Sequence, residues 1–187
     1  MNQQPEKVIL GIDPGTNILG YGVIRTKGKN KVELVVLGII ELKKYDDHYL
    51  KLKVIYERVQ QLVTEYLPDE VAIESPFFGK NVQSMLKLGR AQGVAMAAAL
   101  SRSVPIFEYA PRKIKMAITG QGNASKEQVA SLLKSILGMD ELNYKNLDAT
   151  DGLAAAICHF YQQKAGVGNK KANGWKDFIK NNPQRVK

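Results

Sequence analysis

Hydrophobic residues in the first quarter of the chain fall into three runs separated by short polar turns. The first run begins at Val8 and ends at Asp13, where a Pro-Gly pair turns the chain. The second and third runs cover 19–28 and 31–43. Apolar runs joined by short loops predict an antiparallel meander of three strands, the first of them buried on both faces. Gly20, in the second run, predicts a bulge or a close backbone contact near Asp13.

Beyond the meander, the apolar spacing alternates between the helical and the extended period. Apolar residues three and four positions apart predict helices, and short continuous runs predict strands. Helices are expected at 46–66, 81–102, from Pro111 onward, at 125–137 and at 146–162, and strands at 70–76 and 104–110. The order βββαβαβ, followed by helices, predicts an α/β fold with a five-stranded mixed sheet and helices on both faces.

The length of 187 residues favours one domain. We assign 1–163 to that domain and 164–187, which is rich in Gly, Asn and Lys, to a basic and flexible tail with a candidate docking segment at 174–180. No apolar run is long enough to span a bilayer, and the single cysteine, Cys158, excludes an internal disulfide. These features predict a cytoplasmic protein with no membrane partner.

The positive charge of the chain is concentrated in two segments. The net charge is +9. The tail at 164–187 holds seven basic residues and one acid, and 80–126 holds eight basic residues against Glu108 alone. This distribution predicts a polyanionic partner, most simply nucleic acid. The alternative is a basic surface that only contacts solvent.

Four carboxylates stand at positions where chemistry is expected. Asp13 ends the first strand and Glu74 ends the fourth, so they meet at one sheet edge if those strands are neighbours. Asp148 and Asp151 share one face at the start of the last helix. Asp148 alone would read as an ordinary helix-start acid. Asp151 precedes an Ala-rich stretch that packs on the sheet, where an acid needs a counter-charge.

Four converging acids with no Lys or Arg in their own motifs would repel one another, and divalent cations resolve the repulsion. All-oxygen ligands favour hard ions, Mg²⁺ or Mn²⁺, over zinc. Two such ions can activate a water and stabilise the leaving 3′ oxygen of a phosphodiester. A basic chain with an acidic metal site therefore indicates a nuclease.

Five motifs, in order, resemble one family. GIDPGT with LGYGVI, AIESPFFGKN, SMLKLGRAQG, FEYAPRKIK and DATDGLAAAICH are similar to RuvC, the bacterial Holliday-junction resolvase family, over about 8–162. The resemblance implies a ribonuclease H-like fold, a homodimer and Mg²⁺-dependent paired nicking of four-way DNA junctions in recombination and repair, with the RuvA and RuvB branch-migration complex as an expected partner. It implies catalytic, metal-binding roles for Asp13, Glu74, Asp148 and Asp151.

The resemblance also assigns DNA contacts. Phe77 is implied as a base-stacking residue near the crossover, whereas Phe78 is expected to pack under its loop. Lys115 and Lys126, which flank a Gly-containing loop, are implied to contact DNA close to the scissile phosphate. Weaker candidates for phosphate contact are Lys80, Lys87, Arg90, Arg112 and Lys113. His159, two turns after Asp151, is expected to be a structural histidine.

The long helix at 81–102 is smooth, because glycines and alanines dominate its second half. The resemblance places it in the dimer interface, and two sites held by a two-fold axis would match a four-way junction.

Three alternatives remain open at this stage. GIDPGT is also typical of the first phosphate loop of actin-like and sugar kinases, although this chain has one lobe and no second Gly-rich loop. A non-catalytic junction-binding module is the second alternative, which the presence of all four acids disfavours. A single-lobe nuclease acting on RNA hybrids is the third.

Overall fold

The computed structural model describes residues 6–28, 30–76, 81–139 and 147–164. Its five strands are β1 (Val8–Asp13), β2 (Ile18–Lys27), β3 (Lys31–Glu41), β4 (Glu70–Glu74) and β5 (Ile106–Tyr109). Their order in the sheet is β3-β2-β1-β4-β5. The β1–β2 and β2–β3 pairs are antiparallel, and β4 is parallel to both β1 and β5. The predicted α/β fold with a mixed sheet is confirmed.

The described residues form five helices, three of which begin at a side-chain cap. They are α1 (His48–Tyr66), α2 (Val82–Leu100), α3 (Pro111–Thr119), α4 (Lys126–Leu137) and α5 (Asp148–Lys164). The Asp47 side chain caps α1, and Asn81 caps α2. A reciprocal capping box of Ser125 and Gln128 starts α4, and Gly138 ends it in the left-handed conformation.

The sheet separates two apolar cores. Along β1, Ile9 faces the core beneath α3, α4 and α5, while Leu10 and Ile12 face the core beneath α1 and α2. This alternation follows from the two-residue period of a strand. Helices therefore cover both faces, as the sequence predicts, and no helix in the described part of the chain is long and apolar enough to cross a membrane.

The α5 helix lies directly on the backbone of the sheet. A Cβ added to Gly20 would stand 1.9 Å from the Asp148 carbonyl oxygen, and one added to Gly11 would stand 2.1 Å from the Gly152 carbonyl oxygen. Only glycine permits this approach. The predicted close backbone contact at Gly20 is confirmed, whereas the register irregularity of β2 lies farther along, between Val23 and Ile24.

Several predicted boundaries are too wide by about two residues. The β3 strand ends at Glu41 because the Leu42 and Lys43 amides both donate to the Asn17 carbonyl, at 2.8 and 3.1 Å. The β5 strand begins at Ile106, not at residue 104, and Pro105 contributes only its carbonyl, which accepts from Val71. Beyond Lys164, the predicted tail lies outside the described residues.

Candidate active site

Backbone pairing brings the four predicted carboxylates to one edge of the sheet. Ile12 of β1 pairs with Ile73 of β4, so the next residues, Asp13 and Glu74, stand side by side. Asp13 also pairs with Gly20 on its other side. Because Gly20 packs against the main chain of Asp148, the first turn of α5 is set over Asp13. Asp148 and Asp151 both lie in that first turn.

The carboxylates of this cluster repel one another in a partly buried setting. Burial, followed by the charges of Glu74 and Asp151, raises the pKa of Asp13 to about 8. Burial and the charge of Asp151 raise the pKa of Glu74 to about 7. Burial also raises the pKa of Asp151, against the opposing effect of Lys126. Groups whose pKa is shifted together in a crevice are typical of functional sites.

A lysine from α4 provides a counter-charge. Lys126 Nζ lies 2.8 Å from Asp148 Oδ1 and 2.6 Å from Asp151 Oδ2. Burial alone would lower the pKa of Lys126, but hydrogen bonds to Asp148 and Asp151 raise it above its usual value. Lys126 lies outside the sequence motifs that contain the four acids. For this reason the sequence pointed only to metal ions as the counter-charge.

The donor chemistry of the site fits a hard divalent ion. Asp13 and Glu74 line a crevice of about 150 Å³. The other lining residues are Pro14, Ser75, Pro76 and Leu88. Four carboxylates offer only oxygen ligands. Among the described residues, however, no three His, Cys, Asp or Glu side chains are gathered closely enough to hold one ion as they stand. Metal binding to the Asp148–Asp151 pair would require Lys126 Nζ to move away.

The predicted basic residues divide into those near the acids and those elsewhere. Lys115, on α3, contributes positive potential at Glu74 and Asp151. Lys113 is directed to the Tyr109 ring, with Nζ 5.1 Å from its centroid. The Arg112 side chain packs over Gly122 of the loop. Lys87 and Arg90 are exposed on α2, and their charges, after burial, lower the pKa of His48 at the start of α1. Phe77, Phe78 and Lys80 lie outside the described residues.

Sequence reasoning missed one polar contact to the site. The Gln92 side chain, on α2, donates from Nε2 to Glu108 Oε2 at 3.0 Å and to the Glu74 carbonyl oxygen at 3.4 Å. The available signal was a glutamine among alanines on an otherwise apolar helix face.

A second polar cluster lies at the opposite end of β4. Glu70 Oε1 is 2.6 Å from Lys7 Nζ, Glu70 Oε2 is 3.0 Å from His159 Nε2, and Gln163 also donates to Glu70. The Tyr109 hydroxyl is 2.7 Å from His159 Nδ1. Burial opposes ionisation of Glu70, but these hydrogen bonds lower its pKa to about 2. The expected structural role of His159, which is 1% exposed, is confirmed.

Comparisons with known proteins agree with this geometry. The family model described as crossover junction endodeoxyribonuclease RuvC matches residues 9–159. A protein of that name from Bacteroides fragilis is 64% identical to this chain, and the match covers 97% of this chain and 97% of the relative. A protein of that name from Porphyromonas gingivalis is 57% identical, and the match covers 97% of this chain and 98% of the relative. A structure of Thermus thermophilus RuvC in complex with a Holliday junction substrate superposes with a TM-score of 0.78 at 33% identity, covering 86% of this chain and 96% of that one. A nuclease family thus replaces the phosphotransferase alternative, and the chain belongs to the RuvC family of crossover junction endodeoxyribonucleases.

Proposed function

We propose that this chain is a structure-specific endodeoxyribonuclease that resolves Holliday junctions by paired symmetric nicks in recombination and DNA repair. The observation that carries the proposal is the meeting of four carboxylates, from two strands and one helix, at one edge of the sheet. The net charge of +9 suits a polyanionic substrate. Family membership supports the choice of substrate, since a relative was solved with a Holliday junction.

In this proposal each carboxylate has a role at a metal centre. Asp13, Glu74 and Asp151 would hold two divalent ions, and Asp148 would add a further ligand or orient the attacking water. Mg²⁺ is the proposed ion and Mn²⁺ a substitute, because both prefer oxygen ligands. Bound ions would supply an activated water and stabilise the leaving 3′ oxygen. The contribution of the chain is to hold these side chains together against their mutual repulsion.

Positive side chains near the cluster are proposed to hold the DNA. Lys115 and Lys126 are proposed to contact phosphates next to the scissile bond, and their electrostatic effect on Glu74 and Asp151 supports this. Phe77 is proposed to stack on a base near the crossover. Additional phosphate contacts are proposed for Lys80, Lys87, Arg90, Arg112 and Lys113. Lys113 has the least support, because its ammonium group lies over the Tyr109 ring.

A homodimer is proposed through the exposed face of α2. Val82, Leu86 and Leu100 are 64%, 52% and 57% exposed. Beside them, a Cβ at Gly89 or Gly93 would meet no atom within 4 Å, which leaves room for a partner helix. A two-fold axis would give two sites for two strands. The RuvA and RuvB complex as a partner, the domain boundary after residue 163 and the cytoplasmic location stay predictions from the sequence.

One cleavage assay tests the function directly. Wild-type protein and the D13N variant are incubated with a four-way DNA junction, a linear duplex of the same sequence and an RNA–DNA hybrid, with Mg²⁺ or with EDTA. We expect symmetric nicks in the junction only, in wild type only and with Mg²⁺ only. Equal cleavage of the hybrid would favour the RNA-hybrid nuclease, and junction binding with no cleavage under any metal would favour the non-catalytic module.

A further inference from the structure

Gln92 is a buried polar residue on a helix face that is otherwise made of small apolar side chains. It is 8% exposed, and its neighbours on that face, Ala91, Ala95 and Ala98, are 0–1% exposed. A buried amide without hydrogen-bond partners is costly, so a glutamine at such a position needs specific contacts. Its two contacts are therefore the informative feature of this face.

The two contacts of Gln92 both reach the carboxyl ends of strands. Its Nε2 donates to the Glu108 carboxylate on β5 at 3.0 Å and to the main-chain carbonyl of Glu74 on β4 at 3.4 Å. The amide group has two hydrogens, so one can serve each acceptor. The charged partner is the closer one, as expected for a charge-assisted bond. Glu108 thus fixes the amide, and the amide reaches Glu74.

The Glu74 main chain needs support at this point because the sheet ends there. Beyond Glu74, the Ser75 amide donates to the Tyr109 carbonyl at 2.9 Å, and the chain then leaves the sheet. The position of the Glu74 carboxylate therefore depends on how the last peptide group of β4 is held. The Gln92 amide donates to the carbonyl of that peptide group from the side of α2.

We infer that Gln92 is a positioning residue for the proposed reaction: it holds the Glu74 peptide so that the Glu74 carboxylate stays within the acidic cluster. Gln92 contacts the main chain of Glu74 and not its carboxylate, so it would act through Glu74. The inference rests on the proposed nuclease function for its kinetic consequence, and on the two hydrogen bonds for its structural one. It also links α2, the helix proposed to form the dimer, to one of the four acids.

The test compares three variants that separate the hydrogen bond from packing. Q92M keeps the length of the side chain and removes the donor. Q92H restores an N–H near the same place. E108Q is the matched control, because it removes the charge of the partner but leaves Gln92 able to donate to Glu74. Each is measured for junction affinity, for single-turnover nicking with Mg²⁺, and for the backbone ¹⁵N resonance of Ser75, whose nitrogen shares a peptide group with the Glu74 carbonyl.

We expect Q92M to slow nicking roughly tenfold at saturating enzyme, because a misplaced catalytic group costs rate and not affinity. Junction affinity should be unchanged, the Ser75 resonance should shift, and Q92H should recover most of both effects. Nicking by Q92M within twofold of wild type, or an unmoved Ser75 resonance, overturns the inference. If Q92M does not fold, Q92M/E108M removes both partners together, which is less costly for stability. If wild type does not nick junctions, the proposed function fails while the Ser75 resonance still decides the role of Gln92.

Discussion

The β4 strand carries a glutamate at each end, and the two have opposite ionisation behaviour. The pKa of Glu74 is raised to about 7, whereas the pKa of Glu70 is lowered to about 2. Burial is the largest cause at both residues, and at both it raises the pKa. At Glu74 the charge of Asp151 adds to the effect of burial, and Lys126 and Lys115 offset it only in part, whereas at Glu70 the hydrogen bonds from His159, Lys7 and Gln163 outweigh burial. A buried acid therefore stabilises this fold where hydrogen-bond donors outweigh the effect of burial, as they do at Glu70.

This difference separates the end of β4 that is proposed to bind metal from the end that supports the fold. At the Glu70 end, every charge has a partner, so ionised Glu70 adds to the free energy of unfolding. At the Glu74 end, acids are held together at a cost that protonation or a bound cation lowers. Sites of function commonly carry such a cost, which the rest of the fold must offset.

The largest expected effect is the loss of nicking in D13N. Removing one carboxylate from the proposed metal site should lower the nicking rate by ~10³-fold or more, since several kcal/mol of transition-state stabilisation would be lost. Junction affinity should stay the same or increase, because a negative charge is removed. Gel-shift and nicking assays measure the two quantities, with D46N as a control at an exposed acid outside the cluster. Joint loss of affinity and cleavage would mean that Asp13 is structural.

At the other end of β4, E70A should instead reduce stability. Its removal leaves His159 and Gln163 without their buried acceptor, which should cost about 2–4 kcal/mol in the free energy of unfolding. The matched control is E33A, which breaks the exposed 3.7 Å pair with Lys27 and should cost less than about 0.5 kcal/mol. Urea unfolding measures both. Equal losses in E70A and E33A would remove the contrast between the two ends of the strand.

The pH dependence of the wild-type protein's stability should reveal the opposite pKa shifts at the two ends of β4. Because the pKa of Glu70 falls from 4.5 to about 2 on folding, its stabilisation is present above pH 4.5 and is lost as the pH falls toward 2. Because the pKa values of Asp13 and Glu74 rise on folding from 3.8 to about 8 and from 4.5 to about 7, the stability tied to their protonated forms is complete below pH 3.8 and declines as the pH rises from there to 8. Thermal melts in EDTA should decline at both extremes.

Two variants assign the two limbs of that pH profile. D13N should flatten the decline near neutral pH, and E70Q should flatten the decline at acid pH. Added Mg²⁺ should also flatten the neutral limb in wild type. A neutral limb that persists unchanged in D13N would exclude the repulsion within the cluster as its cause.

The smallest expected effect concerns Lys126. Since its ammonium group and a divalent ion compete for Asp148 and Asp151, K126A should bind Mn²⁺ about fivefold more tightly, the modest size reflecting an ion pair open to solvent. Titration followed by the electron paramagnetic resonance of free Mn²⁺ measures this. K115A is the control, because the charge of Lys115 acts on Asp151, whereas the ion pairs of Asp148 and Asp151 in the described part of the chain are made with Lys126. Equal gains in the two variants would indicate a general charge effect.

The local features of the fold could be predicted from the sequence because their causes are local. Asp47, Asn81 and Ser125 begin helices through contacts within three residues, and the apolar periods follow from geometry. The end of β3 could not be predicted in the same way. It depends on the Asn17 carbonyl, which belongs to a distant turn.

The candidate site was predictable only in part, for the same reason. That Asp13 and Glu74 meet follows from parallel strands that are neighbours, which the topology suggests. The Lys126–Asp148 pair joins residues 22 apart, and the His159–Glu70 pair joins residues 89 apart. No period or motif records such contacts. The resemblance named Lys126 as a DNA contact, but its pairing with Asp148 and Asp151, and the contacts of Gln92, became evident only in the structure.

The glycine contacts beneath α5 have a consequence for how the site tolerates change. Since Gly11, Gly20 and Gly152 bring peptide groups into direct contact, the gap between helix-borne and strand-borne acids is a main-chain dimension. Substitutions among the larger residues of either core can alter stability without changing that distance. A single methyl group at any of these glycines would act as a spacer, lifting two acids away from the other two.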